Sequence, residues 1–182
     1  MCIRDSLGLV LLAVRESPAL FWVGVVLGVP AAVLLVIQAV TGSETLLPYS
    51  SALEAVLYFY AAGALIAYML ADHEITRDEL FAIGATFTLV AWAFAYSYQV
   101  VQAIEPGSFT AAVDPEGTRS WIELLFLSFT TLTSTGLSDV VPIKPFARSL
   151  VMIEMITGLA YVAGVVSRLV GLGMFSRPRV RS

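Results

Sequence analysis

One short polar stretch constrains this chain more than any other feature. Thr130-Thr131-Leu132-Thr133-Ser134-Thr135-Gly136-Leu137-Ser138-Asp139 lies between two strongly apolar segments. Six of these ten residues carry hydroxyls, one is glycine, and an acid closes the run. In lipid a backbone group without a partner costs several kcal/mol, so non-helical chain survives at membrane depth only if it is buried in protein or lines a wet cavity. A function is to be sought there.

The membrane setting follows from composition. Of 182 residues 58% are hydrophobic and only 13% charged, with a mean hydropathy of +0.86. A soluble domain usually carries about a quarter charged residues. The apolar residues also fall in long uninterrupted runs, which points to an integral membrane protein. The single cysteine, Cys2, excludes an internal disulfide and has no partner for a metal site, and the lone His73 sits in a charged loop as a surface residue. Arg15-Glu16 follows the short apolar run 7–14 where a secretory signal would need small residues.

Taken in order, residues 1–16 read as an interfacial segment, 17–75 as two peripheral transmembrane helices, 76–175 as the domain that carries the polar stretch, and 176–182 as a basic tail. Ser17-Pro18 offers an N-cap with proline at the first helical position. The first span is expected over Ala19–Val40, kinked at Pro30, and the second over Ala52–Ala71. Ser51 with Glu54 reads as a capping box for the second span, and Thr76 with Glu79 as one for the third, Leu80 to about Ile104. Trp92, Phe94, Tyr96 and Tyr98 read as helix packing with the tyrosines at the interface, and Gln99 and Gln102 need no special role. A polar external loop runs to Arg119.

Ser120-Trp121-Ile122-Glu123 is a third capping box, and it opens an apolar run of only nine residues, Trp121–Phe129. At about 1.5 Å per residue this covers about half of a ~30 Å hydrocarbon core. A half-length helix, then the polar stretch, then Pro142 and Pro145, predicts a segment that enters the membrane and returns. A final helix follows from Phe146 to about Val170. With four spans the termini share a side with Arg4, Arg15, Arg77, Arg168, Arg177, Arg179 and Arg181, against Arg119, Lys144 and Arg148 opposite. The excess of basic residues places both termini in the cytoplasm of a multi-pass cell-membrane protein, with the re-entrant stretch open to the outside. The expected fold is therefore an all-α integral membrane protein of four transmembrane helices plus a re-entrant helix and loop.

From Leu80 to Val170 these residues resemble the potassium-channel pore domain: a half-helix, a Thr-rich turn with glycine and then Asp, a proline and a glycine-bearing final helix. The segment from Pro142 to Arg168 is similar to that of bacterial channels with two added helices. By position, the family's Thr-Val-Gly-Tyr-Gly-Asp falls on Ser134, Thr135, Gly136, Leu137, Ser138 and Asp139. The resemblance implies a selectivity filter over Thr133–Asp139, in which backbone carbonyls of Ser134, Thr135, Gly136 and Leu137 hold a dehydrated potassium ion. Two positions depart. Ser138 stands where the family has a second glycine, and a non-Gly residue at positive φ is uncommon. Leu137 replaces a tyrosine whose hydroxyl, in the family, ties the filter to surrounding helices. Potassium transporters of the Trk type resemble channels with single-glycine filter loops, so potassium preference and a nonselective cation pore both stay open.

Glu154 lies roughly 12 Å along the final helix, where an acid is a functional candidate by default. Sharing a face with Gly158, Tyr161 and Val165, it reads as a hydrogen-bonding partner of the half-helix. Gly158 admits two readings, a gating hinge or a close-packing point. Leu159, Val162 and Val166 form a face suited to lining an apolar cavity. The expectation is a tetrameric cation channel that conducts potassium passively, since one chain supplies one filter loop and a ring needs four. Its rivals are a nonselective pore and a non-conducting relative. No enzymatic activity is expected, because Glu54 and Glu154 are the only acids within the spans. No cofactor beyond the permeating ion, no nucleic acid and no small-molecule substrate are expected.

Overall fold

The computed structural model describes residues 18–41, 46–71 and 77–175, and five helices account for most of them. They are α1 (Pro18–Thr41), α2 (Leu47–Ala71), α3 (Arg77–Ile104), α4 (Trp121–Leu132) and α5 (Pro145–Phe175). The expected interfacial segment, the basic tail and the Thr76 cap lie outside the described residues. Among the described residues three helices are long and apolar enough to cross a membrane, over Leu47–Leu70, Leu80–Ile104 and Pro145–Val170. In α1 the apolar run among those residues is the shorter Trp22–Gln38, and the helix continues through Pro30.

Proline punctuates the helix starts. Pro18 and Pro145 each occupy the first position of their helix, where the missing N–H is no loss. In α5 the Lys144 carbonyl accepts the first intrahelical bond, from Arg148 N at 3.0 Å. Pro48 likewise lies in the first turn of α2, which therefore begins at Leu47 and not at the expected Ser51. Ser51 and Glu54 are thus a turn inside the helix, and the capping box anticipated there does not form. Instead the Ser51 hydroxyl donates to Gln99 Oε1 at 3.0 Å, across to α3. At Ser120 the expected box is present: its side chain accepts from Glu123 N, and the Glu123 carboxylate reaches back to Ser120 N at 2.7 Å.

α3 is the centre of the molecule. Its Phe94, Tyr98 and Val101 pack with Leu124 and Leu127 of α4 and with Val151 of α5. On another side Tyr96 and Ala93 pack with Ala55, Tyr58 and Ala61 of α2. The tyrosines of α3 are therefore core residues, with Tyr98 0% and Tyr96 4% exposed, in keeping with the helix-packing reading.

The loop before α4 is more ordered than an external polar stretch suggested. Phe109–Thr110 (β1) pairs antiparallel with Val141–Pro142 (β2), in register Phe109↔Pro142 and Thr110↔Val141. This ribbon ties the loop that enters α4 to the chain that leaves the polar stretch. Lys144 Nζ reinforces it by donating to the Pro106 carbonyl at 2.7 Å. Arg119 is the loop's buried centre. Its guanidinium donates to the carbonyls of Val113 at 3.2 Å and Gly117 at 2.7 Å, and to that of Asp114. Gln102, given no role by the sequence, brackets the Arg119 backbone with bonds of 2.8 and 2.9 Å.

Ser120 holds the Glu123 carboxyl below its usual range, through its hydroxyl first and its backbone amide second. A carboxyl so depressed adds stability that is full above its ordinary pKa of about 4.3 and is lost as pH falls through the lowered value. Thermal unfolding in detergent should therefore show a melting temperature that drops on acidification below about pH 5, and Ser120→Ala should weaken that dependence.

Candidate functional site

The polar stretch is built onto the C-terminal end of α4. That helix has 12 residues, or about 18 Å, and stops at Leu132 where the hydroxyl run begins. Beyond it four successive amides turn back to the helix. Thr133 N donates to Phe129 O at 3.0 Å, Ser134 N to Thr131 O at 3.0 Å, and Thr135 N and Gly136 N to Thr130 O at 3.0 and 3.2 Å. Hydroxyls strengthen the attachment. Thr133 Oγ1 donates to Phe129 O at 2.7 Å and lies 3.0 Å from Thr135 Oγ1.

The direction of the carbonyls follows. All described peptides are trans, so each C=O points opposite to the next residue's N–H. With the amides of Thr133 to Gly136 aimed at α4, the carbonyls of Leu132, Thr133, Ser134 and Thr135 point away from it. Backbone signs produce this alignment: Thr133 has φ −80°, Ser134 +58° and Gly136 +65°. Gly136 takes the left-handed conformation without a Cβ penalty. Ser134 takes it as a non-glycine residue, which the sequence did not foretell.

Ser138, by contrast, is not at positive φ. The left-handed conformation expected where the family has its second glycine is absent, and Ser138 Oγ instead accepts from Val140 N at 3.1 Å. Leu137 is 76% exposed, and Thr133, Ser134, Thr135, Gly136 and Asp139 are exposed as well, whereas Val140 returns to the core. The regular run of outward carbonyls therefore belongs to Thr133–Thr135, and the outer part, Leu137–Asp139, is a turn of different geometry.

What fixes α4 at this depth is a buried carboxyl. Glu154 is 0% exposed on α5. The Tyr98 hydroxyl of α3 donates to its Oε2, and the Ser128 hydroxyl of α4 lies at its Oε1. Ser128 Oγ also sits 2.8 Å from the Ala91 carbonyl of α3. One acid thus joins the three helices: the expected bond to the half-helix is made by Ser128, and Tyr98 of α3 adds a partner that no local pattern announced. One turn on, a Cβ at Gly158 would overlap the Leu132 carbonyl. Gly158 is accordingly a close-packing point where α5 meets the end of α4. Tyr161, the next residue on that face, donates to the Ile83 carbonyl at 2.6 Å. Leu159, Val162 and Val166 lie on a face of α5 that the rest of the chain leaves exposed.

Chemically the site offers a row of carbonyl and hydroxyl oxygens, next to the C-terminal end of a helix. That end carries about −0.5 of an elementary charge, which favours a nearby cation. No group of three or more His, Cys, Asp or Glu side chains among the described residues could hold a metal ion in the ordinary way. The arrangement suits weak, repeated coordination of a bare monovalent ion by backbone oxygens.

Residues 55–174 match the family model described as ion channel. The chain belongs to the ion-channel family, with a pore domain of the two-transmembrane, potassium-channel-like kind. No curated protein and no solved structure matches it. The match takes in α2 as well as the polar stretch, so in this channel the conserved pattern of the family begins before the Leu80 boundary that the residues suggested.

Two substitutions test the geometry of the polar segment and its support. Ser134→Gly should raise stability by about 1 kcal/mol, since it removes the cost of a side chain in the left-handed region, measured as a higher melting temperature. Gly158→Ala should lower stability by about 1–3 kcal/mol in the same assay, because a methyl group there meets backbone that has little room to move.

Proposed function

We propose that this protein is a homotetrameric cation channel that conducts potassium passively through backbone carbonyls of the 133–137 segment. The observation that carries the reading is the single orientation of the Thr133, Ser134 and Thr135 carbonyls, away from the helix that holds them. One chain supplies one such row, and a dehydrated ion needs oxygens on all sides, so several copies must surround an axis. Four is the number the family resemblance implies. Leu159, Val162 and Val166 would then line an apolar cavity on the inner side of the filter, and Asp139 would stand at its outer mouth. Ser134, Thr135, Gly136 and Leu137 are the ion-contacting positions by family register, with Thr133 added by the local geometry. Both termini would lie in the cytoplasm of the cell membrane, and the filter would open to the outside.

A nonselective monovalent cation pore is the second reading. It is favoured by Ser138, which lacks the left-handed backbone of a second filter glycine, and by Leu137, which has no hydroxyl to brace the outer turn. Fewer fixed carbonyl layers discriminate less between ions of different size.

Purified protein in liposomes, assayed for potassium and sodium flux, tests both. The expected result is potassium flux exceeding sodium flux. Equal fluxes would favour the second reading, and no flux of either ion would reject conduction. Gly136→Ala should lower flux, because a side chain at its φ of +65° costs about 1–2 kcal/mol and favours a different backbone conformation there.

A further inference from the structure

Between the three long apolar helices lies a cavity of about 480 Å³ that the channel reading does not use. α2 lends it Ile66, Met69 and Leu70, α3 lends Ile83 and Val90, and α5 lends a stripe that starts at Ile156 and ends at Arg168. The hydroxyls on that stripe are already engaged. Thr157 Oγ1 donates to the Ile153 carbonyl at 2.8 Å, and Tyr161 donates to the Ile83 carbonyl at 2.6 Å. Each has a single proton to give, so apart from Arg168 the walls offer an occupant hydrocarbon and no spare side-chain donor. The volume lies in the range of sites that hold small molecules, about 300–1,000 Å³. Gly164 helps to make the room: it lines the cavity, and a Cβ built there would meet nothing within 4 Å.

The ends of the spans set the cavity's depth. Leu70 closes one span, Leu80 opens the next and Val170 closes the third. The cavity gathers Leu70, Ile83 and Arg168 from these three ends, so one face of the membrane passes close to Arg168. From there the cavity follows α5 inward to Ile156, near the middle of its span, over about 18 Å. One leaflet of a ~30 Å hydrocarbon core is about 15 Å deep. The cavity is also open sideways in the single chain, with Leu70 66% and Ile156 69% exposed. It is a groove one leaflet deep, apolar along its length, with a cation at its mouth. Spread over that length, its volume seats a thin flexible chain and not a helix about 10 Å across.

We infer that this groove binds one acyl chain of an anionic phospholipid from the cytoplasmic leaflet, with the lipid phosphate at Arg168. A guanidinium presents its N–H groups as a planar fork that matches phosphate oxygens. The hydrocarbon tail then lies along Ala160 and Gly164 toward Ile156, and the lipid bridges α2 to α5. The choice of leaflet rests on the orientation proposed above. Binding itself does not depend on conduction.

The test counts lipid retained by the assembled protein in native mass spectrometry, after incubation with phosphatidylglycerol or phosphatidylcholine. The wild type should retain phosphatidylglycerol in preference to phosphatidylcholine. Gly164→Leu, which fills the groove, should weaken that binding by more than about tenfold, since the loss of two buried methylenes already amounts to as much. Arg168→Gln should weaken phosphatidylglycerol binding about fivefold, the effect of one basic side chain beside an anionic headgroup, and leave phosphatidylcholine unchanged. The glutamine variant keeps the test independent of the folding of the leucine variant. Equal retention of the two lipids by the wild type, or undiminished retention in Gly164→Leu, would overturn the inference. So would an altered oligomeric state in Gly164→Leu with lipid binding intact, which would make the groove an interface between copies. Ion flux is read separately, so retained lipid without flux would refute conduction and uphold the lipid site.

Discussion

The whole 133–139 segment depends on one carboxyl group buried where three helices meet. Glu154 accepts from Tyr98 and lies against Ser128, so α5, α3 and α4 are joined at a single point of low dielectric. In water such bonds contribute little net stability, but an acid at this depth that lost its partners would carry the full cost of desolvation. The three helices are therefore held in one arrangement. Gly158 lets α5 approach the Leu132 carbonyl closely, at the point where the short helix ends.

From that ending the character of the segment follows. The last carbonyls of α4 would be orphans at the end of any helix. Here the amides of Thr133 to Gly136 satisfy Phe129, Thr130 and Thr131, so the orphaned groups are passed on to the next carbonyls along the chain. Those oxygens face away from the protein, exposed in a single chain, at the negative end of the helix dipole. In the proposed function a desolvated cation, coordinated by several copies, satisfies them.

Much of this was legible in the residues. The long apolar runs fixed the main spans, and the Ser120–Glu123 box with its nine apolar followers marked the short helix. The Thr-rich run with Gly136 and Asp139 singled out the polar stretch, because the half-length helix before it sets it apart from an ordinary external loop. What stayed hidden depends on contacts far apart in sequence. Ser51 and Glu54 have the spacing of a capping box, yet Pro48 starts the helix a turn earlier and turns both side chains inward. Tyr96 and Tyr98 read as packing residues, but their carboxyl partners lie on other helices, beyond any local pattern. Ser134 carries a left-handed backbone that only the four inward amides impose, while Ser138 escapes the strain foreseen for it by using its own hydroxyl locally. Arg119 is drawn into a nest of carbonyls where its sequence neighbourhood reads as solvent.

The central claim is that the carbonyls of Thr133, Ser134 and Thr135 face a shared ion path. Anomalous diffraction from crystals grown with rubidium in place of potassium tests it most directly. The account predicts rubidium peaks on a fourfold axis, within coordination distance of these oxygens from four chains. Ordered chains whose carbonyl rows face lipid, or an axis with no rubidium beside them, would contradict it.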